Sequence, residues 1–343
     1  MRITYLDEEE WPSKYYPQYT IELKNVYIVD KGVILDSNFN YIKECNFQYA
    51  FWNNLKNTKL MPKNVLSYLK SDIDYGKTIP EGSSENRNIE GAWDVTETLD
   101  DKTHYIYGMH YFGWYPYGHH WEVLQPLEKL EFLKPECSKL LVCGVKWDSI
   151  KDFDKQLSLF GFPEERVKKI RVNSNEKNPP SCVFIPKLFY SSPACYFTQV
   201  SERGLSYIEK CYSSIITPKH KQPTKLYLSR QLAKRRKVKN NKEVEEFLIK
   251  NGFTIVDGTE NFEKHIELFR NAEIVVGPHG SMFNNILFSP GDVRIIEFCP
   301  ETRRDYNFRG LGQTRGLDYH WIASPCDKDF NIQINMQTLE ALL

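Results

Sequence analysis

Short apolar runs alternate along the chain with stretches whose apolar residues fall three and four apart, and this predicts strands alternating with helices. The pattern is most regular in the second half. Leu226–Leu228, Thr254–Val256, Ile274–Val276, Val293–Phe298 and Tyr319–Ala323 read as strands. Between them, Glu243–Lys250, the stretch marked by Phe262, Ile266 and Phe269, the stretch from Met282 to Leu287, and Tyr306–Leu311 read as helices. Asn240, three residues before Glu243, and Gly252, just past Lys250, have the spacing of a helix start and stop. Strands recurring about every 20 residues with helices between them predict a doubly wound sheet.

The first half follows the same α/β pattern less cleanly. Val26–Asp36 reads as a hairpin around Lys31-Gly32, and Tyr105–Phe112, Leu140–Val145, Val167–Val172 and Cys182–Phe189 read as strands. Phe153–Phe160 and Glu202–Ile216 read as helices, and Trp121, Leu124, Leu127, Leu130 and Leu133 have roughly helical spacing. Residues 1–25, with Trp11, Tyr15, Tyr16 and Tyr19, read as an aromatic arm. Residues 57–100 read mostly as loop, with some helix near Val65–Leu69. The proline-flanked, otherwise polar stretch 217–224 is the natural linker. It divides the chain into an N-terminal domain over 1–216, a second domain over 225–325 and a C-terminal tail or helix over 326–343.

Composition narrows the classes. The 343 residues are 41% hydrophobic, enough for two cores, and the 45 basic and 45 acidic side chains cancel. No global field therefore draws the chain to nucleic acid or to an acidic membrane. The opening residues lead into Asp7–Glu10, the wrong charge for a secretion leader, and no apolar run approaches membrane-spanning length. The eight cysteines are scattered, without a Cys-x-x-Cys pair, which predicts small core residues in a reducing, cytoplasmic setting.

Candidate chemistry gathers where strands end. Glu273-Ile-Val-Val-Gly-Pro-His-Gly-Ser-Met-Phe-Asn-Asn285 is a strand turning through Gly277 and Gly280 into a helix, a start that suits a phosphate through its exposed amides and dipole. His279 and Ser281 add side-chain donors there. The same pattern also occurs in βα turns that bind nothing. Ser229-Arg230-Gln-Leu-Ala-Lys-Arg-Arg236 follows another strand, and Arg230 with Arg235 or Arg236 suits a diphosphate clamp. A solvated basic face or a nucleic-acid patch is the competing reading of Lys234–Lys239. Glu297, the only acid in its strand, is suited to accept the hydroxyls of a ribose or to point outward from a half-exposed strand. His119, His120 and Glu122 follow a glycine-punctuated turn; one of them suits a general base, and a third metal ligand at sensible spacing is missing. The phosphate-loop, dinucleotide and nucleophile-elbow motifs are absent. The Asp-x-Asp pairs at 72/74, 152/154 and 327/329 follow no clear predicted strand, so no metal site is assigned to them.

The order of these segments resembles glycosyltransferase family 61. The resemblance rests on Leu226-Tyr-Leu-Ser-Arg230, Arg235-Arg236, Asn240–Val244, Gly252–Val256, Ala272–Gly280, Asn284 or Asn285, Phe288, Pro290-Gly291 and Ile295-Ile-Glu297. Gly118-His119 leading into Pro126-Leu127 and Leu130 extends it into the first half. Ser281 stands where the family commonly has alanine, and Asn241 where it often has an acid. The resemblance implies a GT-B-like architecture of two facing Rossmann-like domains. It also implies an inverting hexosyl- or pentosyltransferase of polysaccharide biosynthesis, acting from a nucleotide sugar, with UDP the expected carrier, onto a hydroxyl of a glycan or glycolipid. Ser229, Arg230, Arg235, Gly277, His279, Gly280, Ser281, Asn284 and Glu297 become donor-site candidates, and His119, with His120 and Glu122, the acceptor-side or base candidates. No obligatory metal, no nucleic-acid partner and no transmembrane segment are expected, and self-association is left open. Two alternatives stay open: a nucleotide-sugar epimerase or hydrolase, and a non-catalytic carbohydrate-binding or assembly protein on the same fold.

Overall fold

The computed structural model describes residues 2–5, 19–29, 33–38, 95–108, 135–143, 152–170, 182–191, 202–215, 223–302 and 307–343, with single positions 42, 45, 127, 130 and 133. The fold is mixed α/β with parallel strands in both of its sheets. The chain divides near residues 194–195 into two compact units.

The first unit holds an eight-stranded sheet of β1 (Arg2–Tyr5), β2 (Tyr19–Val29), β3 (Val33–Leu35), β4 (Glu97–Thr98), β5 (His104–Tyr107), β6 (Ser138–Cys143), β7 (Val167–Ile170) and β8 (Cys182–Ser191). Its main path runs β1-β2-β8-β5-β6-β7. β5, β6, β7 and β8 are parallel, whereas β2 lies antiparallel to β1, β3 and β8. The hairpin around Lys31-Gly32 is present, with Val29 opposite Val33. Of the stretch 1–25 read as an arm, Arg2–Tyr5 and the residues from Tyr19 onward are in strands, and residues 6–18 lie outside the described residues. In β2 the buried residues are Thr20, Ile21 and Leu23 before Asn25, then Val26, Ile28 and Val29 after it, so the alternating positions are odd-numbered on one side and even-numbered on the other. This change of phase falls at Asn25, whose φ is 52°, and it hides the strand from a simple two-residue period. The helix α1 (Phe153–Leu159) matches its expected position. The stretch 57–94 and most of the leucine-spaced segment lie outside the described residues, although Leu127, Leu130 and Leu133 are buried.

The second unit contains α2 (Glu202–Tyr212) followed by a parallel sheet of β9 (Lys225–Leu228), β10 (Thr254–Val256), β11 (Ile274–Pro278), β12 (Arg294–Pro300) and β13 (Asp318–Ser324), in the order β10-β9-β11-β12-β13. α2, which the sequence reading grouped with the first domain, packs in this unit. Tyr212 is fully buried, with ring contacts to Phe262 and Phe288. The expected linker lies almost wholly outside the described residues.

α3 (Asn241–Lys250) and α6 (Met336–Leu342) share one apolar cluster with the sheet, in which Tyr227, Val276, Ile296 and Phe298 meet Val244, Leu248 and Leu339. Residues one step along each strand, such as Val275, Ile295 and Glu297, belong to the opposite face. α4 (Phe262–Arg270), a 3-10 helix at Ser281–Phe288 and α5 (Asn307–Thr314) pack together on that side. Strands buried on both faces need near-continuous apolar runs, which explains why these were legible.

The helix ends follow local chemistry. Gly252 has φ 84°, and the Gly252 and Phe253 amides bond the carbonyls of Ile249 and Leu248, closing α3 in a Schellman turn. Asn240 stands at the start of α3 but makes no side-chain cap. Its side-chain amide instead donates to the Ile334 carbonyl at 2.9 Å and accepts the Ile334 backbone amide at 3.1 Å, tying the C-terminal segment to the start of α3.

Candidate functional site

In a parallel sheet ordered like this one, the first strand, β9, sends its chain to one face and the third, β11, sends its chain to the other. The divergence opens a crevice at the strands' C-terminal ends. β9 ends in Ser229-Arg230, and β11 ends in the turn from Gly277 to Gly280. The sequence candidates therefore meet at the topological switch point of this sheet.

The approach is close enough to need glycine. A Cβ at residue 277 would come within 2.8 Å of the Leu228 Cβ and 3.0 Å of the Leu228 carbonyl oxygen. A Cβ at residue 280 would overlap the Arg230 guanidinium. Gly280 itself is extended, with φ −179°, so its small size, and not its conformational freedom, is what the position uses. Arg230 is half-buried over this glycine, and its Nη2 donates to the Arg235 carbonyl at 3.5 Å. The guanidinium thus lies against the turn, in which the His279 backbone amide bonds the Phe298 carbonyl at 2.8 Å.

The segment after the turn is a 3-10 helix over Ser281–Phe288 where an α-helix was expected. Met282, Phe283, Ile286 and Leu287 are still buried, because the same apolar spacing serves either helix type over two turns. Its C-terminal carbonyls are satisfied by Arg315, which donates to Leu287 at 2.5 Å and to Ser289 at 2.7 Å.

The remaining candidates are dispersed around this centre. Ser229 is buried, and its Oγ donates to Glu245 Oε1 of α3 at 3.0 Å. Arg235 is exposed, Ser281 is half-buried and Asn284 is buried within the 3-10 helix. Asn241 accepts the buried Tyr227 hydroxyl at 3.0 Å, an uncharged role that an amide fills as well as an acid.

Glu297 differs most from its sequence reading. Phe298, Cys299 and Pro300 continue the strand beyond it, paired with Ile322, Ala323 and Ser324, so it sits inside the sheet and away from the rim. Its residue exposure is 0%. Oε1 lies 2.6 Å from His279 Nδ1, and Oε2 accepts the Tyr319 hydroxyl at 2.8 Å. Burial, followed by the Glu297 charge and hydrogen bond, holds the Tyr319 phenol well above its ordinary pKa. Tyr319 escaped the sequence reading because its place beside Glu297 depends on the register of β12 with β13, which one sequence does not encode locally.

His119, His120 and Glu122 lie outside the described residues. The chain leaves β5 toward them at Gly108, whose amide bonds the Leu141 carbonyl at 3.0 Å. β5 is itself at a switch point, between β8 on one side and β6 and β7 on the other.

Of the Asp-x-Asp pairs, 327/329 does follow a strand, β13. However, Asp327 accepts the amides of Asp329 and Asn331 and pairs with Lys239 at 3.3 Å, closing a turn. The Asn331 backbone hydrogen bond leads in holding its carboxyl at about 2. Among the described residues, no group of three or more His, Cys, Asp or Glu could hold a metal ion. No described helix is long and apolar enough to cross a membrane.

The family model for Glycosyltransferase 61 matches residues 117–296, just over half of the chain, and the chain belongs to that family. The match takes in His119, Arg230 and the 277–280 turn, and it ends one residue before Glu297. Comparison with curated proteins finds no match.

Proposed function

We propose that this member of glycosyltransferase family 61 moves a hexosyl or pentosyl group from a UDP-linked sugar to a hydroxyl of a glycan or glycolipid, with inversion at the anomeric carbon. The observation that carries the reading is the meeting of Arg230 with the Gly277–Gly280 turn at the switch point of a parallel sheet. A fixed guanidinium and backbone amides suit an anionic diphosphate, because charge-assisted bonds are strong where water is partly excluded. On this reading the second domain, residues 225–325, takes the donor, and the N-terminal domain takes the acceptor, in a GT-B arrangement. The scattered cysteines support a reducing, cytoplasmic setting.

In the proposed step the acceptor oxygen forms a bond to the anomeric carbon from the face opposite the diphosphate. The carbon–oxygen bond to the diphosphate breaks, and its electron pair leaves with the phosphate oxygen. The acceptor proton passes to a base, for which His119 is the candidate. Arg230 and the turn stabilise the charge on the departing diphosphate, so the reading requires no obligatory metal.

The test is transfer from a set of UDP-hexoses, UDP-N-acetylhexosamines and UDP-pentoses to a panel of glycans, with the product anomer read by NMR. Acceptor-dependent transfer with inversion is expected, and His119→Ala should lower turnover far more than donor affinity. Donor consumption at the same rate without any acceptor would favour an epimerase or hydrolase. Glycan binding with no donor consumption would favour a non-catalytic carbohydrate-binding protein.

A further inference from the structure

The chain segments that leave two adjacent strands of the second unit carry opposite charge. Residues 230–239, after β9, hold Arg230, Lys234, Arg235, Arg236, Lys237 and Lys239 and no acid. Residues 257–263, after β10, hold Asp257, Glu260 and Glu263 and no base. The two strands are in register at this edge, with Val256 opposite Leu228 and the Ser229 amide bonded to the Val256 carbonyl at 2.7 Å. Asp257 therefore stands one strand to one side of Ser229-Arg230. β11, which ends in the Gly277–Gly280 turn, stands one strand to the other side. At about 4.8 Å per strand, Asp257 and the turn are on the order of 10 Å apart across the sheet edge.

Asp257 is exposed, and its own loop orients its carboxylate. Oδ1 accepts the Thr259 amide at 3.0 Å and the Thr259 hydroxyl at 2.7 Å. These bonds, the hydroxyl first, hold the carboxyl below its ordinary pKa, with a smaller contribution from the charge of His265. Gly258, with φ 83°, turns the chain, and its amide donates to Glu260 Oε2, which lies 3.2 Å from His265 Nε2 of α4. Among the described residues, no other side chain donates a hydrogen bond to Asp257 Oδ2. An ionised carboxylate oxygen only accepts, so a ligand there has to bring a hydroxyl or an N–H.

A ribonucleoside diphosphate has the matching polarity. Its diphosphate suits the basic side and the turn, and its ribose hydroxyls suit an acceptor. Phosphate itself is repelled by Asp257 and Glu260, so the acidic loop does not extend the phosphate site. In doubly wound sheets that bind nucleotides, the ribose 2′-hydroxyl is met by an acid that follows the first strand and its phosphate turn by some 20 residues. β10 is the next strand after β9 in sequence and its neighbour in the sheet, and Asp257 immediately follows it. Glu297, the acid expected to meet the ribose, is instead closed inside the sheet by His279 and Tyr319.

We propose that Asp257 is the ribose contact of the donor site, its Oδ2 accepting the 2′-hydroxyl of a ribonucleoside diphosphate whose phosphates lie at Arg230 and the Gly277–Gly280 turn. This assignment, which rests on the donor-site reading above, makes the site selective for ribonucleotides over their 2′-deoxy forms.

Titration calorimetry with UDP, GDP and CMP, each beside its 2′-deoxy form, tests the contact. Wild-type protein should bind the ribonucleotide about tenfold more tightly than its 2′-deoxy form, the scale of one hydrogen bond to a charged group. Asp257→Asn keeps an oxygen for the Thr259 amide and hydroxyl but replaces the other oxygen by a donor. It should weaken the ribonucleotide about tenfold, leave the 2′-deoxy form nearly unchanged, and so abolish the preference. An Asp257→Asn variant that keeps the preference overturns the ribose contact and leaves the donor site standing, as does wild-type protein that binds both forms alike. Should Asp257→Asn fail to fold, Asp257→Ser, whose hydroxyl can accept the Thr259 amide, gives the same comparison. Wild-type protein that binds none of the three nucleotides overturns the donor site and the ribose contact together.

Discussion

Arg230→Ala is expected to raise the dissociation constant for UDP by roughly 10- to 100-fold, with the thermal midpoint of the unliganded protein little changed. A hydrogen bond to a charged group contributes about 1.5–3 kcal/mol net, and each 1.4 kcal/mol or so is a factor of ten in affinity. Arg230 is half-buried against Gly280 in the loop after β9, where its guanidinium faces the turn. Gly280→Ala should produce a loss in the same direction. Its extended backbone accepts alanine, but the new methyl would occupy the space of the guanidinium. Calorimetric titration with UDP checks both. Unchanged affinity in both variants would remove the switch point as the donor site.

Glu297→Ala should be the most destabilising single change in the second unit's site region. It leaves the Tyr319 hydroxyl, partly buried, and the buried His279 Nδ1 without their acceptor, Glu297, which has 0% exposure. Each orphaned buried donor costs about 1–3 kcal/mol, and Glu297→Ala orphans two. A loss of roughly 2–5 kcal/mol is therefore expected, on the order of a 10 °C fall in midpoint for a unit of this size. Glu297→Gln should lose much less, because the amide refills the space and still accepts from Nδ1. Urea denaturation of the two variants measures the contrast. Equal stability of Glu297→Ala and wild type would mean that the network is not closed in solution.

The second unit was largely legible because its parallel strands are buried on both faces and appear as unbroken apolar runs such as Ile274–Val276 and Ile295–Ile296. Its turn chemistry was legible for a related reason. Glycines that must let Leu228 and Arg230 approach stand out between a strand and a helical run.

What escaped depends on partners distant in sequence. Asn240 has the spacing of a helix cap, yet its amide binds Ile334, 94 residues away. Glu297 looked like a rim residue because pairing beyond it is set by β13, and Tyr319 was invisible as a partner for the same reason. In the first unit, the phase change at Asn25 divides one long strand between the end of the expected arm and the expected hairpin. His119, His120 and Glu122 carry their signal in residue type alone, and they lie outside the described residues, which the chain leaves after β5 at Gly108.

The most direct test of the donor site is a thermal-shift panel of UDP, GDP and CMP with their common sugar conjugates, each with and without EDTA. The account predicts a selective rise in midpoint with UDP and UDP-sugars that survives EDTA and disappears in Arg230→Ala. No shift with any nucleotide, or a shift that Arg230→Ala leaves intact, would contradict it.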